Sequence, residues 1–371
     1  MPLDPFFDER LRVHRKYMFD QALGTMRARL ATLGRFWRSP AVAPAPAGAD
    51  PAPAAPDTTA AADQASASLG PRARARARHR RAALAWDRSE LAAIGTPGPE
   101  VRTVEHRVEV DGHPAVRVRI YYPDAAADGP VPAMLALFGG AFRIGGIDYP
   151  TTDAANRRRA ADAAVAVAAV DYVLAPEHRY PVQVEQAYAA LAWLFDNAEE
   201  LGVDPARVGV MGTSAGGNIA AALTLVNRDR ADLPLRLQLL EVPVVDLTGA
   251  HLDLRATSAL GIPRPLAIRE LRSVARTYLP SPAHAHEPYA SPLHAASHEG
   301  LPPAVILTAE YDPLRGDGDA YAHALRLAGV DASAVRYQGV THDVPVPTGV
   351  LPASRRWHDD VVSAMRRLHA D

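Results

Sequence analysis

The sequence predicts an α/β architecture: a mostly parallel sheet with helices on both faces. Three observations carry it. Short, mostly apolar runs at 131–138, 163–170, 235–245 and 304–308 alternate with stretches of helical periodicity, and a strand apolar on both sides is one buried on both faces. Two earlier segments alternate instead (Val104, His106, Val108, Val110, then Val116, Val118, Ile120, Tyr122), which is the pattern of strands with one wet face. Finally, a buried run passes through glycines straight into a helical stretch, Val208-Gly209-Val210-Met211-Gly212-Thr213-Ser214-Ala215-Gly216-Gly217-Asn218.

The elements follow in order. Asp111-Gly112 turns the two alternating segments into an antiparallel hairpin. A helix over 181–197 carries Val184, Ala187, Tyr188, Leu191 and Leu194 on one side. Strand 207–211 feeds the glycine-flanked serine. Helices are expected over 317–328 and 355–369, and a last strand over 334–337.

The first eighty residues read differently. Phe19, Leu23, Met26, Leu30, Leu33 and Trp37 recur at spacings of three and four, an amphipathic helix within a cap segment at 1–39. Residues 40–70 are Ala, Pro, Ser, Thr and Gly and cannot bury a core. Arg72, Arg74, Arg76, Arg78, Arg80 and Arg81 then alternate mostly with alanine. Because nearly every basic residue of this chain is arginine, these read as a solvated, disordered arm rather than a nucleic-acid site, which makes 40–81 a linker and 82–371 the α/β domain.

Bulk properties exclude several functions. Forty basic and 42 acidic residues give a formal charge of −2, so no global field attracts nucleic acid. The absence of cysteine removes disulfides, thiolate catalysis and Cys-ligated metal. No apolar run approaches a membrane span, and the early charges interrupt any signal-peptide core. The expectation is a cytoplasmic protein acting on a small molecule without a cofactor or metal; a homodimer is compatible with the sequence.

Strand, Gly-x-Ser-x-Gly and helix together describe a nucleophile elbow, a turn that forces serine into an unfavourable backbone conformation with Oγ projecting outward. The pentapeptide alone is common by chance, so partners are needed. In parallel sheets function gathers at the carboxyl ends of strands. Asp312 follows strand 304–308 and is expected to orient an imidazole, with Asp317 and Glu310 as nearby rivals; Asp317 also suits a helix cap. His342 follows strand 334–337 and is the expected general base. Ser214, Asp312, His342 is the chain order of an α/β-hydrolase triad. The small-residue loop Gly139-Gly140-Ala141 after strand 131–138 can present backbone N–H groups to an oxyanion, joined by that of Ala215.

These residues resemble the hormone-sensitive-lipase-like branch of bacterial α/β-hydrolase esterases over most of 101–371. The nucleophile stretch at 212–218, Asp171-Tyr172-Val173-Leu174-Ala175-Pro176-Glu177-His178, Pro243-Val244-Val245-Asp246-Leu247, Asp312-Pro313-Leu314-Arg315 and Thr341-His342 are similar to its motifs. The resemblance implies an α/β-hydrolase fold with an eight-stranded core and a helical cap, the latter built from the N-terminal segment and an insertion at about 247–288. It implies ester hydrolysis through Ser214, Asp312 and His342. Gly140, Ala141 and Ala215 would be oxyanion donors, with Gly139 as their support. The chain departs from the family at Phe138, where a loop-bracing histidine is usual, at Ala141 for glycine, at Thr213 for an acid, and at Asp343 for glycine. Phe142, Leu260 and Ile262 are candidates for the acyl pocket. A binding protein on the same fold, or amide, lactone or acyl-transfer chemistry on the same triad, are the alternative readings.

Overall fold

Eight strands form one sheet in the order β1-β2-β4-β3-β5-β6-β7-β8. The computed structural model describes residues 1–12, 70–127 and 129–370. The Phe19-to-Trp37 stripe and all but the last residue of the Ala/Pro-rich stretch lie outside the described residues. The chain divides into two units, Leu3–His79 and a larger one of Met1–Pro2 with Arg80–Asp371. In the first, residues 5–12 are helical. The second holds the sheet.

β1 (Arg102–Val110) and β2 (His113–Tyr122) form the expected hairpin, with Gly112 at φ +68° in its turn. β2 also runs antiparallel to β4 (Ala166–Asp171), so it is the one reversed strand of the sheet. β3 (Val131–Leu137), β5 (Val203–Thr213), β6 (Leu235–Glu241), β7 (Ala304–Ala309) and β8 (Ala332–Tyr337) all pair in parallel. Parallel pairing brings the carboxyl ends of β3, β5, β7 and β8 to a single edge, where the loops starting at Phe138, Ser214, Glu310 and Gln338 emerge. β6 stops sooner than its apolar run suggests. Val242 takes φ +40° and Pro243 follows, so the ladder cannot continue.

Two elements differ from the sequence reading. The arginine-rich stretch is not a disordered arm; it opens α1 (Pro71–Ile94). Alanine and arginine are both strong helix formers. The helix has no apolar stripe, and its buried side chains are Asp87 and Glu90. Arg80 is fixed by hydrogen bonds to the carbonyls of Arg143 and Ala175 and an ion pair with Glu177. α2 (Pro150–Ala163) was not anticipated, because it packs through Ala154, Ala160 and Ala163 and shows no large apolar side chain to the eye. The 247–288 insertion contains α5 (Leu254–Ala259) and α6 (Arg264–Tyr278).

The remaining helices fall close to expectation: α3 (Val182–Asp196), α4 (Ala215–Arg230), α7 (Arg315–Leu327) and α8 (Pro352–Arg366). α4 packs against β5 and is buried from Ala215 through Asn227, which makes it the central helix of the sheet face. Among the described residues no helix is long and apolar enough to cross a membrane.

Candidate active site

Ser214 stands between β5 and α4 with φ +56° and ψ −113°. A non-glycine residue there is strained, and its surroundings hold it in place. Its N–H donates to the Glu241 carbonyl at 2.8 Å, and its carbonyl accepts from Asn218 N–H at 3.0 Å. The two flanking glycines are obligatory for space. A Cβ on Gly212 would stand 2.1 Å from the Gly216 carbonyl oxygen, and one on Gly216 would stand 2.1 Å from that of Leu137.

The three side chains chosen from the sequence come together. His342 Nε2 lies 3.0 Å from Ser214 Oγ, and His342 Nδ1 lies 2.7 Å from Asp312 Oδ2. Asp312 is buried, and its other oxygen accepts from the Leu314 N–H at 2.9 Å. Burial of the imidazole works against its charge, but the Asp312 carboxylate and, more weakly, Asp343 lift its pKa to about 9. The two rivals of Asp312 are engaged elsewhere. Glu310 accepts from the Gly339 N–H. Asp317 is fully buried and accepts from the N–H groups of Val245 and Asp246 at 2.9 and 3.0 Å. It is thus a brace for the loop after β6 rather than a simple helix cap. Burial raises its pKa to about 8, with the nearby charges of Asp246 and Asp312 adding to the effect.

The loop after β3 turns back sharply. Gly140 (φ +136°), Ala141 (φ +53°) and Phe142 (φ +59°) all have positive φ, and a Cβ on Gly140 would fall 2.0 Å from the Ile144 carbonyl oxygen. Among the described residues, the amides of Gly140 and Ala141 donate to no protein acceptor. That of Ala215 opens a helix and so has no carbonyl one turn back. Gly139 packs against the elbow, since a Cβ there would lie 3.0 Å from the Thr213 carbonyl oxygen.

Two departures from the family pattern find substitutes. Without the usual histidine, Phe138 stacks on Tyr172 at 4.0 Å between ring centroids, and the Tyr172 hydroxyl donates to the Phe138 carbonyl at 2.7 Å. Without an acid before the serine, the Thr213 hydroxyl donates to the buried Glu241 carboxylate at 3.0 Å. Glu241 also accepts from Arg159 at 2.6 Å and from Trp357 Nε1 at 2.7 Å. Sequence reasoning missed this cluster. Its one signal was a carboxylate, Glu241, at the end of an apolar run.

A cavity of about 440 Å³ opens at the site, lined by Ser214, His342, the Gly139–Ala141 loop and α1 side chains including Trp86 and Leu91. Of the pocket candidates, Phe142, Leu260 and Ile262 are not among its lining residues. Phe142 is fully buried and stacks at 3.7 Å on Tyr278, at the end of α6, so it ties the insertion to the loop instead of facing substrate. Leu260 is buried as well.

Comparison with known proteins bears on the fold and the family. A family model described as alpha/beta hydrolase fold matches residues 134–346. Carboxylesterase NlhH of Mycobacterium tuberculosis is 37% identical over 291 residues, covering 76% of this chain and 89% of that protein. An arylesterase of Saccharolobus solfataricus is 34% identical over 266 residues, 68% of this chain and 81% of its own. Among solved structures, EstE1, a thermostable carboxylesterase cloned from a metagenomic library, superposes with a TM-score of 0.72 at 37% identity, covering 79% of this chain and 97% of that one. An esterase of Pyrobaculum calidifontis gives 0.71 at 34% identity, with 80% and 94% covered. The chain belongs to the α/β-hydrolase family, in its hormone-sensitive-lipase-like branch of carboxylic-ester hydrolases.

Proposed function

We propose that this protein hydrolyses carboxylic esters of short to medium acyl chain through an acyl-enzyme on Ser214. The observation that carries the reading is the continuous chain Ser214 Oγ, His342, Asp312, with contacts of 3.0 and 2.7 Å, at a serine held in an elbow conformation. Ser214 Oγ attacks the ester carbonyl while His342 Nε2 takes its proton. Asp312 keeps Nδ1 protonated and stabilises the imidazolium that forms. The oxygen that becomes negative is met by the N–H groups of Gly140, Ala141 and Ala215, the last aided by the positive end of α4.

The imidazolium then protonates the departing alkoxide, the alcohol leaves, and water, deprotonated by the same imidazole, releases the acid. Every proton in the cycle passes through His342, and the carboxylate of Asp312 stays ionised throughout. The cavity, about 440 Å³ and mainly apolar, suits an acyl chain of modest length. Hydrolysis of 4-nitrophenyl acetate, butyrate and octanoate by the wild type and by Ser214→Ala tests the reading. The wild type is expected to favour the shorter chains and the variant to fall to background; equal rates in the two proteins would refute it.

A further inference from the structure

The catalytic cavity reaches back from Ser214 beneath the sheet edge. Ala136, Ala169 and Met211 are register partners across β4, β3 and β5, so they share one face of the sheet, and all three line the cavity. Two of them present only a methyl group, which leaves space between the sheet and α2. On the α2 side the lining includes Arg158 and Arg159.

The two arginines are not equivalent. Arg159 is neutralised by Glu241 at 2.6 Å. Arg158 has no carboxylate within ion-pair distance among the described residues; its one hydrogen bond goes from Nη1 to the carbonyl of Thr96, another lining residue. The Nε of each is buried without a hydrogen-bond partner. Burial, with the neighbouring charge of Arg159, pulls the Arg158 pKa down to about 10. Asp162 acts on this charge from beyond ion-pair distance and offsets it only in part; a guanidinium partly withdrawn from water and paired with no carboxylate is a costly arrangement. Facing a substrate cavity, it supplies what an anionic ligand needs.

The two acids that line the cavity do not cancel it. Asp343 adjoins His342 in the chain. Asp87 accepts from the Thr151 N–H at 3.0 Å and from its hydroxyl, at the start of α2. Thr151 and Arg158 are about 10 Å apart along the helix at 1.5 Å rise per residue.

We infer that the protein prefers esters whose acyl group ends in a carboxylate, half-esters of dicarboxylic acids, and that Arg158 receives that carboxylate. This rests on the ester-hydrolase reading above and narrows its substrate class. The planar guanidinium fork matches a carboxylate in a way an ammonium does not. The Ala136 and Ala169 methyl groups floor the passage between the reacting carbonyl and the charge.

The test compares monoethyl esters of succinic, glutaric, adipic and pimelic acid with the ethyl alkanoates in which a methyl group replaces the distal carboxylate. Rates are followed by pH-stat for the wild type, Arg158→Met and Arg158→Lys. For at least one chain length the wild-type kcat/KM for the half-ester should exceed that for its neutral counterpart by about tenfold or more, mainly through KM. In Arg158→Met that ratio should fall by about tenfold or more, with Arg158→Lys in between. Stoichiometric fluorophosphonate labelling establishes that each variant is folded; if Arg158→Met is not, the wild-type ratio and Arg158→Lys decide. Neutral esters favoured at every chain length, or a ratio indifferent to Arg158, would overturn the inference and leave ester hydrolysis standing. A wild type that cleaves neither series and takes up no fluorophosphonate would overturn both.

Discussion

Thr213 and Glu241 are register partners on adjacent parallel strands, and the hydroxyl of the first donates to the carboxylate of the second at 3.0 Å, one residue before Ser214. The same Glu241 holds the Ser214 N–H through its backbone carbonyl and binds Arg159 and Trp357 through its side chain. An acid contributed by β6 therefore supports the elbow from beneath.

Removing that acid should unfold the protein more readily than it damages chemistry. Glu241 is fully buried and the Arg159 side chain is 11% exposed, so Glu241→Ala leaves a nearly buried guanidinium unpaired. The expected loss is about 3–5 kcal/mol by urea unfolding. The backbone bond to Ser214 survives the substitution, so kcat well below the melting temperature should change much less. Replacing both members, Glu241→Met with Arg159→Met, should cost less than the single change. A double variant as unstable as the sum of the singles would remove the pair from this account.

Activity should climb with pH into the alkaline range. In the proposed mechanism His342 must be neutral to take the Ser214 proton, and its pKa is raised to about 9. Below that value the neutral fraction falls about tenfold per pH unit, and kcat/KM with it. Asp343 contributes to the elevation, so Asp343→Asn should move the acid limb toward lower pH and raise kcat/KM near neutrality. A limb centred at the ordinary histidine value, unmoved by this substitution, would contradict the electrostatics.

Stability should move the other way. The folded-state pKa of Asp317, about 8, lies above the ordinary carboxylate value. A raised pKa means that the contribution is complete at acid pH and lost as pH rises through the folded value, because the charged form must be solvated in a dry site. The wild-type melting temperature should therefore fall as pH rises from about 4, the ordinary carboxylate value, to about 8, and this contribution should level off above it. Asp317→Asn, which cannot ionise, should stay level across that window even if it starts lower. Parallel pH curves for the two proteins would rule this source out.

The oxyanion loop is open to a backbone test. A methyl group on Gly140 meets the Ile144 carbonyl oxygen at 2.0 Å, and φ is +136° there. Gly140→Ala must shift the loop that carries two of the proposed donors. The expected result is a fall in kcat of about 10²–10³, the cost typical of losing one oxyanion donor, with a smaller effect on KM. Unchanged kcat would mean that these amides do not meet the developing charge.

What could be read in advance follows from where the information sits in the chain. Ser214, Asp312 and His342 each come just after a stretch that reads as a strand, so the parallel topology alone brings them to one edge. The hairpin was readable from strict alternation on either side of Asp111-Gly112. α2 was not, because alanine buries without leaving an apolar stripe. α1 was misread because arginines alternating mostly with alanine suggest solvent, although both residues favour helix. The Glu241 cluster was beyond reach: its contacts join residues 28, 82 and 116 positions apart, and nothing local marks them as neighbours. The pocket candidates Phe142, Leu260 and Ile262 missed the cavity wall, part of which comes from Trp86 and Leu91 of α1, a helix without an apolar stripe to mark it.

The most direct test of the account is to treat the folded protein with a fluorophosphonate and locate the adduct by peptide mass spectrometry, in the wild type and in His342→Ala. A single adduct on Ser214 is expected in the wild type, with labelling slowed by several orders of magnitude when the imidazole is removed. An adduct on another residue, or undiminished labelling of Ser214 without His342, would contradict it.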